Sequence, residues 1–189
     1  MGRNTMVADY QTRLFTVEEY EAMGRAGIFV PEERVELLDG EILTMAPIGP
    51  AHCGIVSRLT HLFVTKFGSR AVVRIQFPVV LGKFSEPQPD IALTYPRDDF
   101  YSARHPREDD VFALIEVAES SLRYDRGKKL KLYARQGIGD YRIVDIPTGA
   151  LSSTASPMNS ATQTSKRFVP AKPLHSHLFQ RIPCTSTSC

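Results

Sequence analysis

The sequence predicts an α/β protein: a mixed sheet flanked by helices and preceded by a short helix and a β-hairpin. Three observations lead there. Runs rich in β-branched and apolar residues at 71–81, 89–95 and 111–117 read as three successive strands. Stretches with apolar residues at helical spacing bracket them, one opened by Pro50 and one closed by Gly137. From Pro50 onward the order is helix, three strands, helix, strand, which suits a layered sheet with helices on both faces.

Each element has a local reason. Thr16 followed by Glu19 fits a capping box, so a short helix starts there and runs to about Ala26, ended by Gly24 and Gly27. Residues 34–45 alternate around Asp39-Gly40, a favoured two-residue hairpin turn. Pro50 opens a helix whose apolar stripe is Ile55, Leu59, Leu62, Phe63 and Phe67. After the three strands, residues 125–136 read as a helix and 141–144 as a last short strand.

Composition narrows the function classes. At 189 residues the chain suits one domain with a full core. No run of 18 apolar residues argues for a membrane span, and no apolar signal core follows Met1. Cys53, Cys184 and Cys189 form no zinc-type cluster, so a reducing cytoplasm is the expected location. All 21 acidic residues lie at or before Asp145, beside 19 of the Lys and Arg residues. The body is thus mildly acidic, and any contact with nucleic acid must come from local basic clusters. The best such run is Arg123, Arg126, Lys128, Lys129, Lys131 and Arg135, although a solvated helix face would look much the same.

The chemistry-bearing residues stand out by location. Asp90 opens one apolar run, and Glu116 lies near the end of another. Acids on buried strands are costly unless a cation neutralises them. Mg²⁺ is a hard cation that binds through one or two carboxylates and keeps several waters. The same residues also admit a plain reading, with Asp90 capping a strand end and Glu116 in a structural ion pair. On the following helix Arg126, Lys129, Leu130 and Tyr133 share one face, whereas Lys128, Lys131 and Arg135 share another and face solvent. Glu36 sits on an apolar strand, inward or solvent-facing. His52 begins a helix and caps, packs or binds phosphate. Gln76 precedes Asp90 by one strand, and Ser120-Ser121 caps a helix or meets a phosphate.

Several ordered motifs carry a resemblance: Leu14-Phe15-Thr16-Val17-Glu18-Glu19-Tyr20, Arg34-Val35-Glu36-Leu37-Leu38-Asp39-Gly40-Glu41-Ile42, Ala46-Pro47-Ile48-Gly49 with His52, Pro89-Asp90, Glu116-Val117, and Lys129 with Tyr133-Ala134. In their order and spacing, from about Leu14 to Asp145, the chain resembles the Uma family of restriction-endonuclease-like proteins within the PD-(D/E)XK nuclease superfamily. The resemblance implies a restriction-endonuclease-like mixed sheet and a Mg²⁺- or Mn²⁺-dependent endonuclease acting on DNA. It implies metal ligation by Asp90, Glu116 and the Val117 carbonyl, with Lys129 assisting the attacking water and Glu36 as a further catalytic acid. A homodimer is a further expectation from the resemblance. One departure matters: the superfamily lysine falls two residues after the acid, where this chain has Ala118. Lys129 is then a lysine migrated to the following helix. The missing lysine and the acidic body leave open a second class of function, a nuclease-fold protein without turnover that binds nucleic acid or a partner protein.

The expected organisation is an extension at 1–13, a restriction-endonuclease-like domain at 14–146 and an irregular tail at 147–189. Residues 151–189 hold 13 Ser and Thr among 39, with no acid. A neighbouring frame, entered at the Gly149 codon in one back-translation, reads as strand, turn and strand. The tail is therefore either native or a frameshift product, expected to lack regular structure from about Leu151 and to leave one flank of the strand at 141–144 bare.

Overall fold

The computed structural model describes residues 11–154. Helix α1 (Val17–Arg25) starts at the expected capping box, with Thr16 accepting from the Glu19 amide and Glu19 from the Thr16 amide. Gly24 lies within this helix, and the chain turns at Gly27, where φ is +70°. Strands β1 (Val35–Leu38) and β2 (Glu41–Thr44) form the antiparallel hairpin. Asp39 and Gly40 both have positive φ, the geometry that an Asp-Gly turn supplies cheaply. Tyr20, Val35 and Leu37 bury together and fasten α1 to the hairpin.

Helix α2 (Pro50–Phe67) precedes the main sheet, whose strands are β3 (Val72–Ile75), β4 (Ile91–Thr94), β5 (Val111–Ala118), β6 (Tyr141–Asp145) and β7 (Ala150–Thr154), in that spatial order. The β5–β6 pair is parallel and the others antiparallel. The parallel pair needs a crossover, and the helical segment between β5 and β6 provides it.

Two cores follow from strand alternation. Ile91, Leu93, Ala113, Ile115 and Val117 pack with Val56, Leu59 and Phe63 of α2. Ala92, Leu114 and Ala118 join Leu132 and Tyr133 on the opposite face. Glu116 lies between Leu114 and Ala118 in β5, and Asp90 is two residues before Ala92. Alternation therefore puts both acids on the same sheet face.

Five expectations need correction. The strand expected at 71–81 stops at Ile75, because Gln76 takes a φ of +52° and Pro78 has no N–H to give a ladder. The helix expected at 125–136 begins earlier and is not regular: α3 (Leu122–Tyr124) runs into a π-helical turn at Asp125–Lys129, then α4 (Leu130–Arg135). The wider turn rotates Arg126 away from the Lys129 direction. Arg126 is exposed and Asp125 takes the inward place. Lys131 is exposed as expected, but Lys128 is only half-exposed and pairs with Glu41. Finally, residues from Leu151 do not all lack regular structure. β7 pairs with the whole of β6, from Tyr141 opposite Thr154 to Asp145 opposite Ala150, so the flank expected to be bare is covered. The rest of the tail expectation, from residue 155, lies outside the described residues, as does most of the 1–13 extension.

Candidate active site

Asp90 and Glu116 meet where β4 begins and β5 ends. Their link is mutual: the Val117 amide donates to Asp90 Oδ2 at 2.8 Å, and the Asp90 amide faces Glu116 Oε2 at 3.4 Å. β4 pairs with β5 only as far as Ile91 opposite Ile115, so these amides bind carboxylates where the ladder has ended. His52 Nε2, from the first turn of α2, lies 3.0 Å from Asp90 Oδ1, and Gln76 Nε2 donates to the same oxygen at 3.1 Å. The left-handed backbone at Gln76 accompanies that approach.

Lys129 points inward. Its Nζ is 3.1 Å from Glu116 Oε1 and 3.3 Å from Glu36 Oε2, and both acids are buried. Tyr133, one helical turn on, donates to Glu116 Oε1 at 3.0 Å. Glu36, on β1, also accepts the Gln88 amide at 3.1 Å, which ties that strand to the segment leading into β4. Asp125 is buried beside them and accepts from Ser121 Oγ at 2.6 Å.

Four buried acids thus surround one lysine. Burial pushes the Glu116 carboxyl up to about 8; Lys129 opposes that, while Asp90, Asp125 and Glu36 add to it. Burial also works against the charged form of Asp90. The hydrogen bonds from His52, Val117 and Gln76 outweigh it and hold the group below its ordinary value. Burial opposes the charge on Lys129 as well, but Glu116, Glu36 and Asp125 hold the ammonium above its ordinary value. Lys129 is therefore a fixed cation and not a base.

Whether these residues suit a divalent metal follows from their donors. Among the described residues no set of three or more His, Cys, Asp or Glu side chains forms a ready-made metal position. Two carboxylates with excess negative charge around them suit a hard cation that keeps several waters. Asp90 and Glu116 fit that description, with the buried acids Glu36 and Asp125 adding negative charge beside them.

Asp90, Glu116, Glu36, Lys129, His52 and Asp125 line one cleft of about 360 Å³, bounded also by the loop after β2 and by Glu119, Ser120 and Tyr124, with Gln76 and Tyr133 bonded to its acids from behind. The structure thus brings together Asp90, Glu116, Val117, Lys129, Glu36, His52 and Gln76 from the sequence reading. Tyr133 shares the Lys129 face as its spacing predicts, whereas Asp125, four positions before Lys129, is a site residue that the sequence reading does not single out, although that spacing stacks side chains on one helix face. The expected basic surface is largely paired off: Lys128 with Glu41, Arg135 with Asp39, and Arg126 with Ser152 at 3.0 Å and Asp145 at 3.9 Å.

The sheet order, the flanking helices and the acids at the strand ends define the restriction-endonuclease-like class of α/β folds. Residues 17–180 match the Uma2 family, described as "Putative restriction endonuclease", and the chain belongs to that family. A solved structure titled as a putative nuclease belonging to DUF820 from Anabaena variabilis ATCC 29413 is similar over 77% of this chain and 82% of its own, at 15% identity and a TM-score of 0.57. That likeness shows the fold. No curated protein matches. Among the described residues no helix is long and apolar enough to cross a membrane.

Proposed function

We propose that the chain is a Mg²⁺- or Mn²⁺-dependent endonuclease that hydrolyses DNA phosphodiester bonds at the Asp90–Glu116 cleft. The observation that carries this reading is the joint placement of the two acids, on one sheet face and linked through the Asp90 and Val117 amides, with Lys129 against Glu116. Asp90 and Glu116 would hold the metal. The Val117 carbonyl leaves its strand on the same edge as its N–H and would add a neutral oxygen. When bound, the metal supplies charge neutralisation at the scissile phosphate and a more acidic water.

The chain's own residues supply the rest. His52 and Gln76 keep Asp90 ionised and aimed. Lys129, a permanent cation, orients the attacking water and offsets charge building on the phosphoryl oxygens. Glu36 acts through Lys129: together with Glu116 it fixes the ammonium in place, and it is better described as a positioning residue than as a direct participant.

A second reading, a nuclease-fold binder without turnover, has its own support. Each of the four carboxylate oxygens of Asp90 and Glu116 already takes a hydrogen bond, and the helix's basic run is mostly paired with acids. Plasmid DNA incubated with Mg²⁺, with EDTA, and with Asp90→Ala tests the choice. Nicking that needs both the metal and Asp90 supports the nuclease. Metal-free, cleavage-free binding supports the alternative.

A further inference from the structure

We propose that Arg34 and Tyr124 form a phosphate-binding pair in this cleft, holding a phosphate of the nucleic-acid strand beside the Asp90–Glu116 acids. The inference rests on the nuclease reading for its substrate class, but its evidence is separate. Arg34 Nη1 and the Tyr124 hydroxyl are buried polar atoms with no hydrogen-bond partner, and both residues line the cleft. A buried donor left unpaired costs free energy, so two of them in one cleft call for an explanation.

The neighbouring donors are already committed. Lys129 is taken by Glu116 and Glu36, Gln76 and His52 Nε2 by Asp90, and Ser121 by Asp125. Arg34 Nη1 and the Tyr124 hydroxyl are buried donors of the cleft left open to an incoming group, and His52 Nδ1 is a third buried polar atom there without a partner. Burial first, and then the nearby Glu36, hold the Tyr124 phenol well above its ordinary value, so it stays a donor. A guanidinium and a phenol together ask for an oxyanion, and the planar fork of arginine matches two phosphate oxygens.

The lining of the same cleft fits the rest of a nucleotide. Leu43, Met45, Pro47 and Ile48 give it an apolar surface on which a sugar or base can rest, and the Met45 amide bonds the Arg34 carbonyl, so this surface adjoins Arg34. A bare carboxylate metabolite would make no use of that surface. A nucleotide uses it together with the phosphate donors.

The experiment uses the full chain with a labelled DNA oligonucleotide in Ca²⁺, followed by fluorescence anisotropy, beside thermal shifts with inorganic phosphate. Arg34→Gln and Tyr124→Phe should each weaken oligonucleotide binding about tenfold, with Mn²⁺ affinity by calorimetry unchanged. Tyr124→Phe should leave free-protein stability unchanged or slightly raised, since its hydroxyl has no partner to lose. A stability loss in that variant with unchanged DNA affinity would overturn the proposal in favour of a structural hydroxyl. If the wild type cleaves DNA and both variants keep their affinity and KM, the pair is wrong and the nuclease reading stands. If the wild type binds DNA and phosphate through these residues without cleaving, the pair stands and the nuclease reading fails. A wild type that binds neither probe sinks the pair.

Discussion

His52 Nε2 lies 3.0 Å from Asp90 Oδ1, joining the first turn of α2 to the start of β4. With Gln76, it gives the carboxylate two donors on one oxygen while the Val117 amide takes the other. Removing such a supporting contact typically lowers metal affinity without altering the ligands. His52→Ala should therefore raise the Mn²⁺ dissociation constant roughly tenfold by calorimetry, with the far-ultraviolet dichroism unchanged. An unchanged affinity would reduce His52 to a packing residue.

Lys129→Ala tests the cationic centre. Its loss leaves Glu36 and Glu116 buried without their partner, so urea unfolding should show a loss of about 3 kcal/mol. Added Mn²⁺ should stabilise the variant about as much as the wild type, because a bound ion stabilises the folded state by an amount that its affinity sets. DNA cleavage should fall sharply while Mn²⁺ affinity is retained. A variant as stable as the wild type would mean that the acids are already neutral.

Glu86 gives a pH dependence away from the cleft's acids. It is buried, its Oε2 has no hydrogen-bond partner, and burial, with Glu21 adding to it, pushes its carboxyl up to about 7. Folding therefore tightens proton binding at this group. Its contribution is most favourable below the ordinary carboxylate pKa and is lost as the pH rises through about 7. Between pH 5 and pH 8 the wild type should lose on the order of 2 kcal/mol from this source. In Glu86→Gln that difference should shrink by the same amount in paired urea titrations. Parallel profiles for the two proteins would contradict the assignment.

Gly40 is fixed by both conformation and space. Its φ is +80°, and a Cβ added there would come within 2.5 Å of Leu14 Cβ. Gly40→Ala should cost on the order of 1–3 kcal/mol. It should also loosen the segment carrying Leu14 and Phe15, whose amide bonds the Gly40 carbonyl at 2.9 Å. Hydrogen exchange at Phe15 would report that loosening directly.

The elements set by local chemistry were legible in the sequence: the Thr16–Glu19 capping box, the Asp39-Gly40 turn, the Pro50 helix start and the apolar β5 run. So was the pairing of Asp90 with Glu116, because acids inside apolar strands are conspicuous. Contacts made only by tertiary approach were not legible. Glu36 reads ambiguously by alternation, since its side depends on where the hairpin packs. His52 looks like any first-turn residue until β4 arrives beside it. The early end of β3 hinges on one left-handed residue, Gln76, which carries no glycine-like signal. The β6–β7 pairing escaped because Leu151-Ser152-Ser153-Thr154 lacks the apolar alternation that marks a strand.

The π turn at Asp125–Lys129 holds one residue more than an α-helical turn would, and that residue is spare. Each residue advances the chain by about 100° in an α-helix and by less in the wider turn. Deleting Gly127, whose added Cβ would meet nothing within 4 Å, would let the turn tighten to α-helical geometry while removing no side chain from the cleft. The tightening would absorb the lost residue, so Lys129 and Tyr133 would keep facing Glu116. The spacing from Glu116 to the lysine is thus free to shorten by one with the cleft intact, and a search for relatives by fixed spacing alone would pass over such chains.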